Sequence, residues 1–235
     1  MRWTSMPAEE GGPTLARVAG LVLAAGAGRR YGMPKALVSY DGSLLVERAC
    51  RLVADVCDPV VVVLGAAADE VRERASLGAA TVVVNPDWDT GMGSSLRAGL
   101  AAIAALPPSP GGLRQNRQPG GLRQNRQPGG SPASRQAQGS SGSVDAVLVH
   151  LVDLPGMTVA ALRRVAGHAA PAALASATFA GVRGHPVLIG RTHWAGVAAH
   201  ASGDQGARGY LAAHEVTEID CSDVADPADL DYPPA

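Results

Sequence analysis

Residues 18–37 read VAGLVLAAGAGRRYGMPKAL. The first six, Val18–Leu23, form a short, nearly continuous apolar run rich in branched side chains, the composition of a strand buried on both faces of a parallel sheet. The loop behind it carries Gly26, Gly28 and Gly32, which permit positive φ and close backbone approach, so consecutive N–H groups can converge on an anion. Arg29, Arg30 and Lys35 add up to three positive charges around that concavity. At an effective dielectric near 20, each cation–phosphate contact at ~4 Å is worth about 4 kcal/mol before desolvation. Lys35 is the only lysine in the chain, against a Lys+Arg total of 20. A solitary ammonium among guanidinium groups points to a site that wants a compact, flexible cation. The loop fits neither common nucleotide fingerprint. A P-loop needs Gly-Lys-Ser/Thr opening a helix, whereas Pro34-Lys35 leads into Ala36-Leu37-Val38. A dinucleotide site needs GxGxxG and an acid closing the second strand, whereas the third glycine is Gly32 and the second strand ends in Leu64-Gly65.

Outward from this loop the chain alternates. Val60–Leu64, Thr81–Val84 and Ala146–Val152 repeat the pattern of the first strand. Helical stretches lie between and after them at Leu44–Val56, Ala67–Ala75, Ser94–Leu106 and Val159–Ala169. In the less regular last third, Leu174–Phe179, Pro186–Ile189 and Glu215–Ile219 read as strands and Asp204–Ala213 as a helix. Such alternation predicts right-handed βαβ units in a three-layer α/β/α, Rossmann-like, mostly parallel sheet forming one domain. Ligands of such sheets bind at the carboxyl ends of the strands.

The chain has 235 residues, 46% of them hydrophobic, which is enough to bury a sizeable core. A net charge of −1 removes the compositional argument for a nucleic-acid scaffold or a membrane-surface protein. Residues 107–143 differ from the rest: they hold five arginines and no acid, and GGLRQNRQP occurs twice in tandem at 111–119 and 120–128. Rich in Gly, Pro, Ser and Gln, this stretch reads as a disordered insertion, with an Arg-rich tether as the sharper alternative. The expected organisation is an N-terminal extension (1–16), a first half-domain (17–106), the insertion (107–143) and a second half of the same domain (144–235). Cys50, Cys57 and Cys221 have no CxxC spacing and read as small apolar residues in a reducing compartment. Val18–Ala25 is too short to span a membrane and is preceded by Glu9 and Glu10, so the expected address is the cytoplasm.

Two further strand ends carry polar residues. Asp153, at the tip of the Ala146–Val152 strand and stiffened by Pro155, stands where an oxygen ligand for Mg²⁺ is expected; the other reading is a turn-initiating Asp. Behind Thr81–Val84, the sequence NPDWDTGMGSSL (85–96) offers Ser94 or Ser95 as caps of the next helix, leaving its first N–H groups toward the cleft. His185 reads as a histidine held by backbone at the start of a strand, and Asp204 as an N-cap with Arg208 one turn later.

Read together, LAAGxGxRxGxPKAL (23–37), NPDWDTGMGSSL (85–96), VDLP (152–155), GHPVLI (184–189) and GDQGAR (203–208) resemble the motifs of the MobA-like NTP transferases. The LAAG start is closer to the molybdenum cofactor cytidylyltransferase branch. The resemblance implies that Leu23, Ala24, Ala25, Gly26, Gly28, Arg29, Gly32 and Lys35, with Asn85, Gly91, Ser94 and Ser95, bind the nucleotide. It also implies that Lys35, Arg30 and Asp153 are catalytic and that Asp153 holds Mg²⁺. Asp231, in DLDYP (229–233), is similar to the second acid of the family's DIDTP segment, although Tyr232 replaces Thr; the other reading is a solvated acidic tail. His185, Asp204 and Arg208 fall on the acceptor side. The implied reaction is Mg²⁺-dependent transfer of NMP, with CTP favoured, to a phosphorylated acceptor such as molybdopterin, with release of pyrophosphate. The implied partners are these small molecules and a molybdoenzyme, with no nucleic acid and no membrane. Two other classes stay open: an NAD(P)-dependent oxidoreductase using the same loop, and a non-catalytic NTP- or cofactor-binding chaperone.

Overall fold

A computed structural model of the chain describes residues 16–107 and 142–232. Most of the expected N-terminal extension and of the insertion, including the tandem repeat, lies outside the described residues. Residues 16–106 and 144–232 pack as one compact unit.

The elements, in order, are β1 (Val18–Ala24), the short β2 (Ser39–Tyr40) and β3 (Ser43–Leu44), α1 (Leu45–Ala54), β4 (Val60–Leu64), α2 (Ala68–Arg74) and β5 (Thr81–Val84). They continue with α3 (Met92–Ala105), β6 (Ala146–Leu151), α4 (Val159–Ala166), β7 (Leu174–Phe179), β8 (Val182–Gly190), α5 (Trp194–His200), α6 (Arg208–Ala212) and β9 (Thr217–Asp220). Seven strands form one sheet in the order β5-β4-β1-β6-β8-β7-β9. All run the same way except β8, which is antiparallel to both of its neighbours. The expected α/β sheet is therefore present, with β1 and β6 at its centre.

The period of the strands explains the layers. On β1, Val22 and Ala24 belong to one apolar cluster and Ala19, Leu21 and Leu23 to the other. Val60, Val62 and Leu64 of β4 alternate with Val61 and Val63 in the same way. A strand covered on both sides needs apolar residues at every position, which is why these runs look continuous in the sequence. One face is covered by α1, α2 and α4 through residues such as Leu45, Val53, Val71 and Leu162; the other by α3, α5 and α6 through Leu96, Ile103, Val197 and Leu211.

The last third departs from expectation. β8 begins at Val182, four residues before the predicted strand, because its first residues are half-buried or exposed and lack an apolar signature. α5 was not anticipated from its short Ala- and Gly-containing sequence. Asp204 lies in a 3-10 turn (Gly203–Gln205) and makes no cap; α6 starts later, behind Ala207, with no side-chain cap. Nor do Ser94 or Ser95 cap α3. Its N-cap is Gly91 at φ +109°, and both serines are buried inside the first turn.

Candidate functional site

The segments leaving the carboxyl ends of β1, β5 and β6, with Asp204 and Asp231, line a cleft of about 490 Å³. β1 delivers the glycine-rich loop. Within it only Gly28 (φ +60°) and Gly32 (φ +90°) use the left-handed region; Gly26, expected to do so, does not. Gly28 is required sterically as well, since a Cβ there would sit 1.9 Å from the carbonyl oxygen of Met33. The N–H of Gly32 donates to the carbonyl of Gly28 at 2.8 Å, closing the loop. Pro34 then starts the 3-10 turn Lys35–Leu37, whose Ala36 and Leu37 are buried and so anchor the base of Lys35.

Lys35 reaches the centre of the cleft. Its Nζ donates to Oδ2 of Asp153 at 2.8 Å and to Oδ1 of Asp231 at 2.6 Å, and its side chain is only 13% exposed. The Nη1 of Arg30 donates to the other oxygen of Asp231 at 2.5 Å. Burial works against the Lys35 charge, but the two carboxylates outweigh it and hold the ammonium above its usual value. Asp231 is held below the ordinary carboxylate range, chiefly by the Lys35 hydrogen bond.

Asp153 is placed by β6 and by what grips the turn behind it. Arg48 of α1 donates from Nε and Nη2 to the carbonyl of Pro155 at 3.1 and 2.8 Å. After β9 the chain returns across the same turn. Asp226 N–H donates to the Gly156 carbonyl and Leu230 N–H to the Asp153 carbonyl, at 3.1 and 3.0 Å. That last bond sets Asp231 beside Asp153. One carboxylate oxygen from each of Asp153, Asp229 and Asp231 lies within 4.8 Å of the others. Three hard oxygen donors, two of them half-buried, are the donor chemistry that suits Mg²⁺ or Mn²⁺. Asp229 was not anticipated, because an exposed acid in a short tail gives no signal until the fold brings it near Asp153.

Leu23, Ala25, Gly26, Gly28, Arg29, Arg30, Lys35, Gly91, Ser95, Asp153, Asp204 and Asp231 share this cleft. Trp88, Asp89 and Met92, which the sequence reading did not single out, line it too. Ala24 faces the core on the opposite side of β1, and Gly32 is outside the lining. Asn85 and Ser94 are buried behind the wall. There the Asn85 amide donates to the hydroxyls of Ser94 and Ser95 at 2.8 and 3.1 Å, and Asp87 N–H donates to the Asn85 side-chain oxygen at 3.1 Å. These bonds fasten the loop after β5 to the first turn of α3. His185 and Arg208 line a smaller pocket of about 50 Å³ alongside, sharing Leu23 and Met92 with the cleft.

His150 on β6 is 1% exposed, and its Nδ1 is the one buried side-chain nitrogen or oxygen without a hydrogen-bond partner among the described residues. Burial, with His185 adding, pushes this imidazole down to about 3; burial also takes His185 down to about 4. Both rings are neutral in the fold and charge more readily in the unfolded chain near 6.5, so stability falls as pH drops below that value. His150 alone is expected to cost about 2 kcal/mol between pH 7 and pH 5. Urea unfolding at both pH values checks this. His150→Leu should reduce the difference by about 2 kcal/mol and leave the share of His185; an unchanged difference would show that His150 does not carry it.

The chain is similar to known proteins along most of its length. A "Nicotine blue oxidoreductase" from Paenarthrobacter nicotinovorans is 36% identical over 225 residues, covering 91% of this chain and 92% of that protein. A "Probable molybdenum cofactor guanylyltransferase" from Bacillus cytotoxicus is 47% identical over 59 residues, 25% of this chain and 28% of that one. The crystal structure of the Rv0371c homolog from Mycobacterium sp. strain JC1 superimposes with a TM-score of 0.67 at 26% identity, covering 92% and 91% of the two chains. The family description "MobA-like NTP transferase domain" matches residues 20–218, a span that runs from β1 through β9 and includes the glycine loop, Lys35 and Asp153. With that span covering most of the sheet and its cleft, the chain belongs to the MobA-like NTP transferase family.

Proposed function

We propose that the protein transfers a nucleoside monophosphate, CMP from CTP, to a phosphorylated acceptor of the molybdopterin type and releases pyrophosphate. The observation that carries this reading is the meeting of Lys35, Arg30, Asp153 and Asp231 at the mouth of a glycine-rich anion loop. Asp153 and Asp231, with Asp229, would hold a divalent cation, which when bound neutralises charge on the transferred phosphate. The acceptor is itself an ionised phosphate, so no side chain has to act as nucleophile. The chain's own part is positioning and electrostatics. Loop N–H groups and Arg29 take the outer phosphates, and Lys35 moves between the carboxylates and a phosphate oxygen. The LAAG sequence of residues 23–26 supports cytosine as the base, and His185 with Arg208 offers a neutral ring and a cation to the acceptor.

A second reading rests on the relative named as an oxidoreductase. It places NAD(P)H on the same loop. Against it stand the absence of an acid at Leu64-Gly65, where a dinucleotide ribose would be held, and the three acids that suit a cation. Pyrophosphate release with each of the four NTPs, with Mg²⁺ and with or without molybdopterin, tests the proposal. Acceptor-dependent release from CTP is expected. No release from any NTP, together with NAD(P)H oxidation, would replace it with the oxidoreductase. Tight NTP binding with no turnover would replace it with the non-catalytic carrier.

A further inference from the structure

Trp88 takes no part in the phosphate and cation chemistry described above, yet the fold makes room for it at a definite place. It opens the 3-10 turn Trp88–Thr90 behind β5. Its Cβ and Cγ lie 2.4 and 2.6 Å from the point that a Cβ on Gly65 would occupy, and the carbonyl oxygen of Ala25 is 2.8 Å from the same point. The base of the indole, the end of β4 and the start of the glycine loop therefore share one spot. Only a residue without a side chain at position 65 leaves space for all three.

The side chain is half-buried and lines the cleft with Ala25, Gly26 and Asp89. Among the described residues it stacks on no other ring and on no cation. Trp194 differs: it is buried, its Nε1 donates to the Ile189 carbonyl, and Arg191 lies over its ring. No other aromatic residue lines the cleft among the described residues. The indole packs in part against the core on the α3 side, and the part of it that faces the cleft is suited to a planar heteroaromatic group, whose stacking is tolerant of base identity.

We infer that Trp88 is the stacking platform for the heteroaromatic ring of the ligand whose phosphates the glycine loop holds. This rests on the nucleotidyl-transfer reading, in which the ring is the nucleobase. A nicotinamide dinucleotide presents the same chemistry, and the test separates the two. Calorimetric titration of the full chain, with Mg²⁺, compares CTP, GTP, NADPH and inorganic tripolyphosphate, which has no ring. CTP is expected to bind at least tenfold tighter than tripolyphosphate. Trp88→Leu should weaken CTP about tenfold and leave tripolyphosphate unchanged, while Trp88→Phe should stay within about threefold. Gly65→Ala, which crowds the indole, should weaken CTP in the same selective way. If Trp88→Leu does not fold, quenching of the wild-type indole emission by CTP but not by tripolyphosphate is the expected substitute result.

CTP and NADPH binding no tighter than tripolyphosphate, or unaltered by Trp88→Leu, overturns the inference. Trp88-dependent NADPH binding without pyrophosphate release would keep the platform and remove the transferase. Pyrophosphate release with affinities indifferent to Trp88 would do the reverse.

Discussion

Lys35→Met is expected to lower the turnover of acceptor-dependent pyrophosphate release by about 10²–10³-fold while changing unfolding free energy by less than ~1 kcal/mol. The disparity follows from where the ammonium lies. Its two bonds, at 2.8 and 2.6 Å, go to carboxylates that are 21% and 27% exposed, so water can take over much of their solvation when the charge is removed. A developing negative charge on a phosphate in the cleft has no comparable substitute within the loop, since Arg30 is already turned to Asp231 with a side chain that is 70% exposed. Lys35→Arg should not restore the rate. A planar guanidinium cannot place one point charge between two carboxylates in the way an ammonium does. Steady-state assays and urea unfolding of both variants provide the check. Wild-type turnover in Lys35→Met would remove Lys35 from the chemistry proposed above.

Gly91→Ala is expected to cost about 3 kcal/mol of stability, a fall in melting temperature on the order of 10 °C. Gly91 adopts φ +109° and ψ 176° at the N-cap of α3, a conformation open almost only to glycine. A methyl group there would also lie 2.4 Å from the carbonyl carbon of Gly203 and 2.6 Å from its oxygen. Backbone cannot swing aside as a side-chain tip would. The turn at Gly203–Gln205 and the loop after β5 would have to separate, and Ser95 and Asp204, which share the cleft, would move apart with them. Activity is therefore expected to fall even at temperatures where the variant remains folded. Calorimetric melting measures the first effect; a loss below ~1 kcal/mol would show that the two loops separate easily.

The sheet is legible in the sequence because its central strands are apolar at every position. That follows from helices on both faces, and it leaves the strand assignments for β1 and β4 little freedom. The end of the chain is less legible. β8 begins with Val182, Arg183 and Gly184, and Val182 is exposed, so hydrophobicity alone marks only its second half. α5 is one short helix behind a 3-10 turn, with no capping residue to announce it. The site divides along the same line. The loop from Gly26 to Lys35 is contiguous and rich in residues with restricted uses, so its purpose shows locally. Asp229 and Trp88 acquire theirs only through tertiary contact: one when Leu230 bonds to Asp153, the other when Gly65 leaves room for an indole. Ser94 illustrates the opposite error. A serine near a helix start suggests a cap, but the left-handed Gly91 takes the end of the helix, and the Ser94 hydroxyl is placed 2.8 Å from the carbonyl oxygens of both Asp87 and Gly91.

The bond from Leu230 to Asp153 also sets a time at which the site can exist. Lys35 and Asp231 are 196 residues apart in the chain, and Lys35 and Asp153 are 118 apart. During synthesis β1, β4 and β5 can pair, and the glycine loop can close on itself, long before residue 231 emerges. Throughout that interval the loop's cations face a cleft without Asp231, and even Asp153 arrives only with β6. Contacts so distant along the chain are among the slowest to form. The newly made protein is therefore expected to pair β1, β4 and β5 before it acquires its charge cluster, with the segment after β9 completing the cleft.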